Sequence, residues 1–255
     1  MMKKRLFKYA LPIGGVAFWI ALWWVAALIL QKPLILPTPW RVLCKLCPLA
    51  VTATFWGALA LSLLRIAGGI LAALVLGTLL AVATTRSKLV YHLFSPLLTL
   101  FKATPVAAVI FLLLLFLGRK SVPFFITLTV TLPIAWGNMR EGLTEVDASL
   151  LEMARAFALS RVRILRCIRL PMLRPYFKAA CLSAIGLGFK AGVAAEILCL
   201  PAGSLGALMY ESKLYLQTEE LFAYTLAVIL ISLAIERITL RLLSQSPKKE
   251  DTSRA

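Results

Sequence analysis

The stretch Trp56–Thr84, WGALALSLLRIAGGILAALVLGTLLAVAT, decides the fold, because across its 29 residues it holds a single charge, Arg65. About 20 mostly apolar residues in a helix cross the hydrocarbon core of a bilayer. No water is available there to satisfy backbone polar groups, so a crossing chain must form helices or a closed barrel. The rest of the sequence has the same character. Of 255 residues, 61% are hydrophobic and 15% charged, with a mean hydropathy of +0.89. Soluble domains carry roughly 45–50% apolar and about 25% charged residues, so the surplus apolar surface demands lipid. Six runs qualify as spans, at 10–30, 56–84, 92–117, 122–139, 177–201 and 219–243. The chain therefore reads as an all-α, polytopic membrane protein with six transmembrane helices. Residues 1–9 form a basic N-terminus, 10–243 the transmembrane domain and 244–255 a polar C-terminal tail.

The charge-free stretch Tyr9–Gln31 is too long for a signal-peptide core of about 7–15 residues, and no small-residue cleavage site follows; it reads as a retained anchor. Behind Pro33, Pro37 and Pro39, the segment 40–50 reads as a short helix lying at the outer interface. Lysine and arginine collect in cytoplasmic loops. With the N-terminus inside, nineteen of the 28 basic residues fall on the cytoplasmic side, six outside, and three within spans: Arg65, Lys102 and Lys190. Both termini are expected to face the cytoplasm. The net charge of +17 does not point to nucleic acid, because the basic residues punctuate apolar runs instead of forming a patch on a soluble surface. Cys44 and Cys47 form a CxxC with no second pair, and His92 is the only histidine. That falls short of a four-ligand zinc site. A redox pair and two idle thiols both fit, with idle thiols favoured.

Between the fourth and fifth spans the chain spends nearly forty residues on the cytoplasmic side, and the loop 140–176 carries helical punctuation. Ser149-Leu150-Leu151-Glu152 has the form of a capping box, in which serine and glutamate reciprocally satisfy free backbone N–H groups. Leu150, Met153, Ala154 and Phe157 follow at helical spacing. Ser160 reads as a second N-cap, and Val162, Ile164, Leu165 and Ile168 alternate with Arg161, Arg163, Arg166 and Arg169. Pro171 and Pro175 are expected to close this helix pair before span five. Two amphipathic helices joined near Ala158 either rest on anionic lipid or dock in a groove on a partner protein.

The spacing resembles the cytoplasmic signature of ABC-importer permeases: glutamate, two alanines, a glycine four residues on, then isoleucine, one residue, leucine and proline. This chain reads Glu152-Met153-Ala154, then Ala158, then Ile168-Arg169-Leu170-Pro171, with every interval kept. Met153 stands for an alanine and Ala158 for the glycine. Alanine disfavours a positive-φ turn, so a small change in coupling geometry is expected. More narrowly, the chain resembles the nitrate, sulfonate and taurine class of these permeases over about 36–243. The shared segments are Leu36-Pro37-Thr38-Pro39, Lys102-Ala103-Thr104-Pro105, Asp147, and Lys190-Ala191-Gly192-Val193-Ala194-Ala195-Glu196.

The resemblance implies a type I importer permease fold in the bacterial cytoplasmic membrane, and a coupling loop that includes Ser149, Phe157, Ile168, Leu170 and Pro171. It implies a separate ATPase dimer, an extracytoplasmic binding protein and a permease homodimer. No GxxxxGK[ST] phosphate loop is present, so ATP is expected on the partner, with no cofactor and no catalysis on this chain. Substrates of the class include nitrate, sulfonates, taurine and small heterocyclic vitamin precursors.

Charges within spans are costly and default to functional candidates. Arg65 and Glu196 fall at similar depth in spans two and five, so an ion pair of structural role is expected. Lys102 and Lys190 fall near the midplane, beside Pro105, which breaks span three. Either they line a path for an anionic solute or each pairs with a carbonyl or Glu196, the latter slightly favoured. Glycines 68, 69, 186, 188 and 192 read as close-packing positions. An ion-coupled secondary transporter would want midplane acids and repeats, and Glu196 alone is thin support for one. A membrane enzyme lacks an acid–base or metal apparatus.

Overall fold

The computed structural model describes residues 2–145 and 148–244, and every regular element among them is helical. Asp147 and the tail residues 245–255 lie outside the described residues. The helices run in the order α1 (Met2–Leu30), α2 (Pro39–Leu49), α3 (Ala53–Arg86), α4 (Lys88–Ala103), α5 (Val106–Phe116) and α6 (Val122–Thr144). They continue with α7 (Ala148–Ala156), α8 (Arg161–Ile164), α9 (Leu170–Cys199), α10 (Leu205–Leu214) and α11 (Thr218–Ser244). Helix starts follow local chemistry: Thr52 and Ser87 accept from the N–H groups of Phe55 and Val90, and Pro39 opens α2 where no N–H is needed.

Helices α3, α6 and α9 form the core, brought together by small residues. A Cβ on Gly69 would stand 2.6 Å from the Phe124 carbonyl oxygen, and one on Gly192 would stand 2.6 Å from Ile66 Cγ1. Gly188 is similarly covered by Thr131 and Ile70. Gly68 meets only an ordinary contact and Gly186 faces open space, so the close-packing expectation fails at Gly186. Buried Thr127 and Thr131 return their hydroxyls to the carbonyls of Pro123 and Thr127, both at 2.7 Å. No polar group is stranded there.

By length and composition, four helices among the described residues can cross a membrane: α3, α6, the continuous helix ending in α9, and α11. The third expected span is a bent pair: α4 and α5 meet at 108° and count as a fifth crossing if taken together. Thr104 and Pro105 are extended there (ψ 130 and 127), as the residue before proline and proline's missing N–H require. The apolar part of α1, Gly14–Leu30, is shorter and sits at the lower limit for spanning. The interfacial segment 40–50 is helical as α2, tied to the start of α11 by Lys45–Glu220 at 2.8 Å and Arg41–Glu219 at 3.4 Å.

Two elements differ from the sequence reading. Helix α10 lies between spans five and six, where none was expected; its cap is Ser204, which accepts from the Ala207 N–H at 3.1 Å. Pro171 and Pro175 do not close the second loop helix. The chain stays helical from Arg161 to Cys199, through a π-helical stretch at Leu165–Arg169. Pro171 falls directly after this widened turn, which accommodates a ring that would clash with the carbonyl four residues back. The outer surface is strongly apolar, with Ile29, Leu64, Leu79, Leu115 and Phe116 well exposed; such a surface is stable only against lipid or another apolar chain.

Candidate functional site

Three groups of residues carry chemistry, and the first is the hairpin of α7 and its return arm. Helix α7 is described from Ala148 onward, and Ser149 lies on it. Its C-terminus closes with the 6→1 bond of a Schellman turn: the Leu159 N–H reaches the Ala154 carbonyl at 3.0 Å, just beyond the last regular helical bond, from the Phe157 N–H to the Met153 carbonyl at 3.0 Å. Ala158 occupies the left-handed position with φ +51. The positive-φ turn is therefore kept without glycine, against the expectation, because the cap hydrogen bonds and the Ser160 cap behind it hold the backbone there. Ser160 Oγ accepts from the Arg163 N–H at 3.4 Å. The turn stores strain of about 1 kcal/mol relative to glycine.

This hairpin places apolar side chains in solvent. Ala154 is buried at 1% exposure, whereas Phe157 is 74% exposed and Met153 51%. Leu150, Met153 and Phe157 recur at i, i+3 and i+7, one face of the helix, and Glu152 is exposed beside them. On the return arm, Ile168 is half-buried, while Leu170 and Pro171 are exposed. Behind the hairpin, the Tyr176 hydroxyl donates to Glu145, and the Tyr176 ring covers Gly142. That contact clamps the end of α6 to the start of α9.

The second group is buried in the core, where α3, α9 and the start of α10 meet. Glu196 has no exposed surface. Its Oε1 lies 3.4 Å from Arg65 Nη1, and its Oε2 accepts from Ser62 Oγ at 2.6 Å and from the Gly206 N–H at 3.3 Å. Ser62 Oγ in turn accepts from the Leu205 N–H at 3.0 Å, and Arg65 Nη2 donates to the Ala202 carbonyl at 3.3 Å. The carboxylate thus takes up one N-terminal amide of α10, that of Gly206, as well as the guanidinium. Gly206 is required by proximity, since a Cβ there would stand 2.4 Å from Glu196 Cβ. The sequence reading had Arg65 and Glu196 but missed Ser62 and Gly206. Ser62 sits three residues before Arg65, on the same helical face, and could have been found by that spacing.

The third group lies on the exposed side of α4 and α9. Lys102 closes α4 in front of Pro105, and Lys190 lies on α9; both are exposed. Among the described residues, neither forms an ion pair or a side-chain hydrogen bond. Glu196 is held by Arg65 and Ser62, so it is not their partner. His92, Ser95, Thr99 and Lys102 recur at i, i+3, i+7 and i+10 along α4, a polar stripe on a mainly apolar helix. Ser95 and Thr99 line an open groove of about 680 Å³. This stripe was legible in the spacing and was overlooked. Cys44 and Cys47 are exposed free thiols on α2.

Residues 73–244 match the family described as "Binding-protein-dependent transport system inner membrane component". The taurine transport system permease protein TauC of Escherichia coli (strain K12) is 30% identical over 89% of this chain and 84% of its own length. The putative aliphatic sulfonates transport permease protein SsuC of Bacillus subtilis (strain 168) is 27% identical over 80% of this chain and 74% of its own. A solved chain of the MetNI methionine ABC transporter, inward-facing, superposes with a TM-score of 0.55 at 19% identity, covering 74% of this chain and 92% of that one. That last likeness is one of fold.

Proposed function

We propose, for a chain that belongs to the family of binding-protein-dependent transport system inner membrane components, that it is the permease through which a small sulfonate or similar anion is imported. The all-helical fold is that of a type I ABC importer permease, and the family is one of transport subunits of the bacterial inner membrane. A separate ATPase dimer drives the cycle by gripping the α7 hairpin from the cytoplasm, where both termini also lie. An extracytoplasmic binding protein delivers the solute, and two copies of this chain surround the path.

The observation that carries this reading is the exposed Phe157–Met153 face on a helix set apart from the bundle by a strained turn. An aromatic residue left 74% exposed on a structured loop is the anchor type found at interface hot spots. Coupling needs a contact whose energy differs between two states. The hairpin supplies one, because its return arm is continuous with a core helix, so a push on α7 reaches α9 directly. Unpartnered Lys102 and Lys190 support an anionic solute, since a cation facing a lipid-free path stays hydrated between turnovers and meets the solute's charge.

The test is reconstitution of the permease with its ATPase and its loaded binding protein in proteoliposomes. Phe157→Asp is expected to lower both uptake and substrate-stimulated ATP hydrolysis by about 30-fold or more. Unchanged coupled uptake would refute the docking. Lys102→Met with Lys190→Met should weaken uptake of a sulfonate by about tenfold without loss of folded protein; unchanged uptake would remove the anion argument.

A further inference from the structure

The cytoplasmic end of the bundle encloses a cavity of about 900 Å³ that the transport reading does not use. Its walls come from the ends of α3, α6 and α11, the start of α9, and both arms of the hairpin. Leu151 of α7 and Leu165 of the return arm face Met139, Leu173, Phe177 and Leu242 of the bundle. Arg86, Arg169, Arg174 and Lys178 also line it, and no acidic side chain does so among the described residues.

This combination selects its occupant. A small free anion would meet the cations and leave leucine walls against water. A neutral acyl chain would cover the walls and leave Arg86, Arg169 and Lys178 without a counter-charge. Arginine presents a rigid donor fork that matches phosphate oxygens, and the volume lies within the range of ligand sites, about 300–1,000 Å³. The site also lies on the side where anionic headgroups attract basic segments. We infer that the cavity binds an anionic phospholipid of the inner leaflet, its phosphate on the basic rim and its acyl chains along the leucine and phenylalanine walls. The tail 245–255 follows Leu242 and Leu243 in sequence, but it is polar and carries Lys248, Lys249 and Arg254 near Glu250 and Asp251, so its composition matches neither wall nor rim.

Native mass spectrometry of the full-length permease, released from micelles containing equal dioleoylphosphatidylglycerol and dioleoylphosphatidylcholine, tests the site. The wild-type chain is expected to retain phosphatidylglycerol about tenfold or more over phosphatidylcholine. The combined Arg86→Gln, Arg169→Gln, Lys178→Gln variant should abolish that preference. Leu242→Trp, which fills the cavity without altering charge, should lower phosphatidylglycerol retention, and it keeps the test sharp if the triple variant loses helicity. Millimolar inorganic phosphate should not displace the lipid, and truncation after Ser244 should not raise retention. Equal retention of the two lipids, retention unaffected by Leu242→Trp, displacement by inorganic phosphate, or a several-fold gain on truncation would each overturn the assignment.

Discussion

The α3–α6–α9 core and the α7 hairpin solve opposite problems. In the core, glycines bring backbones into contact, threonine hydroxyls turn back on their own helices, and the buried carboxylate of Glu196 is matched by a guanidinium, a serine and an amide. On the hairpin, Phe157 and Met153 stand in solvent and Ala158 is held at φ +51. The core holds Glu196, Thr127 and Thr131 in hydrogen bonds, whereas the hairpin leaves apolar surface uncovered. The difference separates a closely packed core from a surface that leaves apolar side chains open.

That contrast can be broken most severely at Glu196. Glu196→Ala leaves Arg65 in a half-buried site without its counter-charge and should cost about 3–5 kcal/mol, read as denaturant unfolding in detergent. In a double-mutant cycle, Arg65→Ala should be far less than additive with it; additive losses would mean that the two do not act as a pair. Overpacking comes next. Gly192→Val forces a side chain into Ile66 and Thr127 and should cost about 1–3 kcal/mol, whereas the same change at open Gly186 should cost much less.

The hairpin should respond in the opposite direction. Ala158→Gly relieves the left-handed strain and should stabilise the turn by about 1 kcal/mol. Hydrogen exchange at the Phe157 and Leu159 amides would then slow by about fivefold. If protection falls instead, the strained turn is not what the sequence change relaxes. The smallest effect on stability belongs to Phe157→Ser, within about 0.5 kcal/mol. A larger loss would mean that Phe157 packs on its own chain.

Most of this division could be read from the residues. Charge-free runs and Lys/Arg asymmetry expose the membrane helices because the bilayer imposes one rule on every span. The hairpin is legible because caps such as Ser160 act within four residues. Arg65 and Glu196 share a depth that the rise per residue makes countable. What escaped depends on three-dimensional approach. Ser62 and Gly206 matter only because α10 folds back on Glu196, and α10 is too short and too mixed to announce itself. The π-helical passage into α9 was hidden because Pro171 reads locally as a stop, and only the widened turn before it makes room for the ring. The bend at Thr104–Pro105 was marked by proline, but its 108° angle goes with packing of α5 on α6 and α9, which no local signal encodes.

The central claim is that the α7 hairpin is gripped by an ATPase on the cytoplasmic side. Phe157→Cys and Lys120→Cys, each labelled with a benzophenone maleimide in the assembled importer, test it directly, because the two positions lie on opposite sides of the membrane in this account. The label at 157 is predicted to capture the ATPase subunit and that at 120 to leave it untouched. Capture of the extracytoplasmic binding protein from position 157, or of the ATPase from position 120, would contradict it.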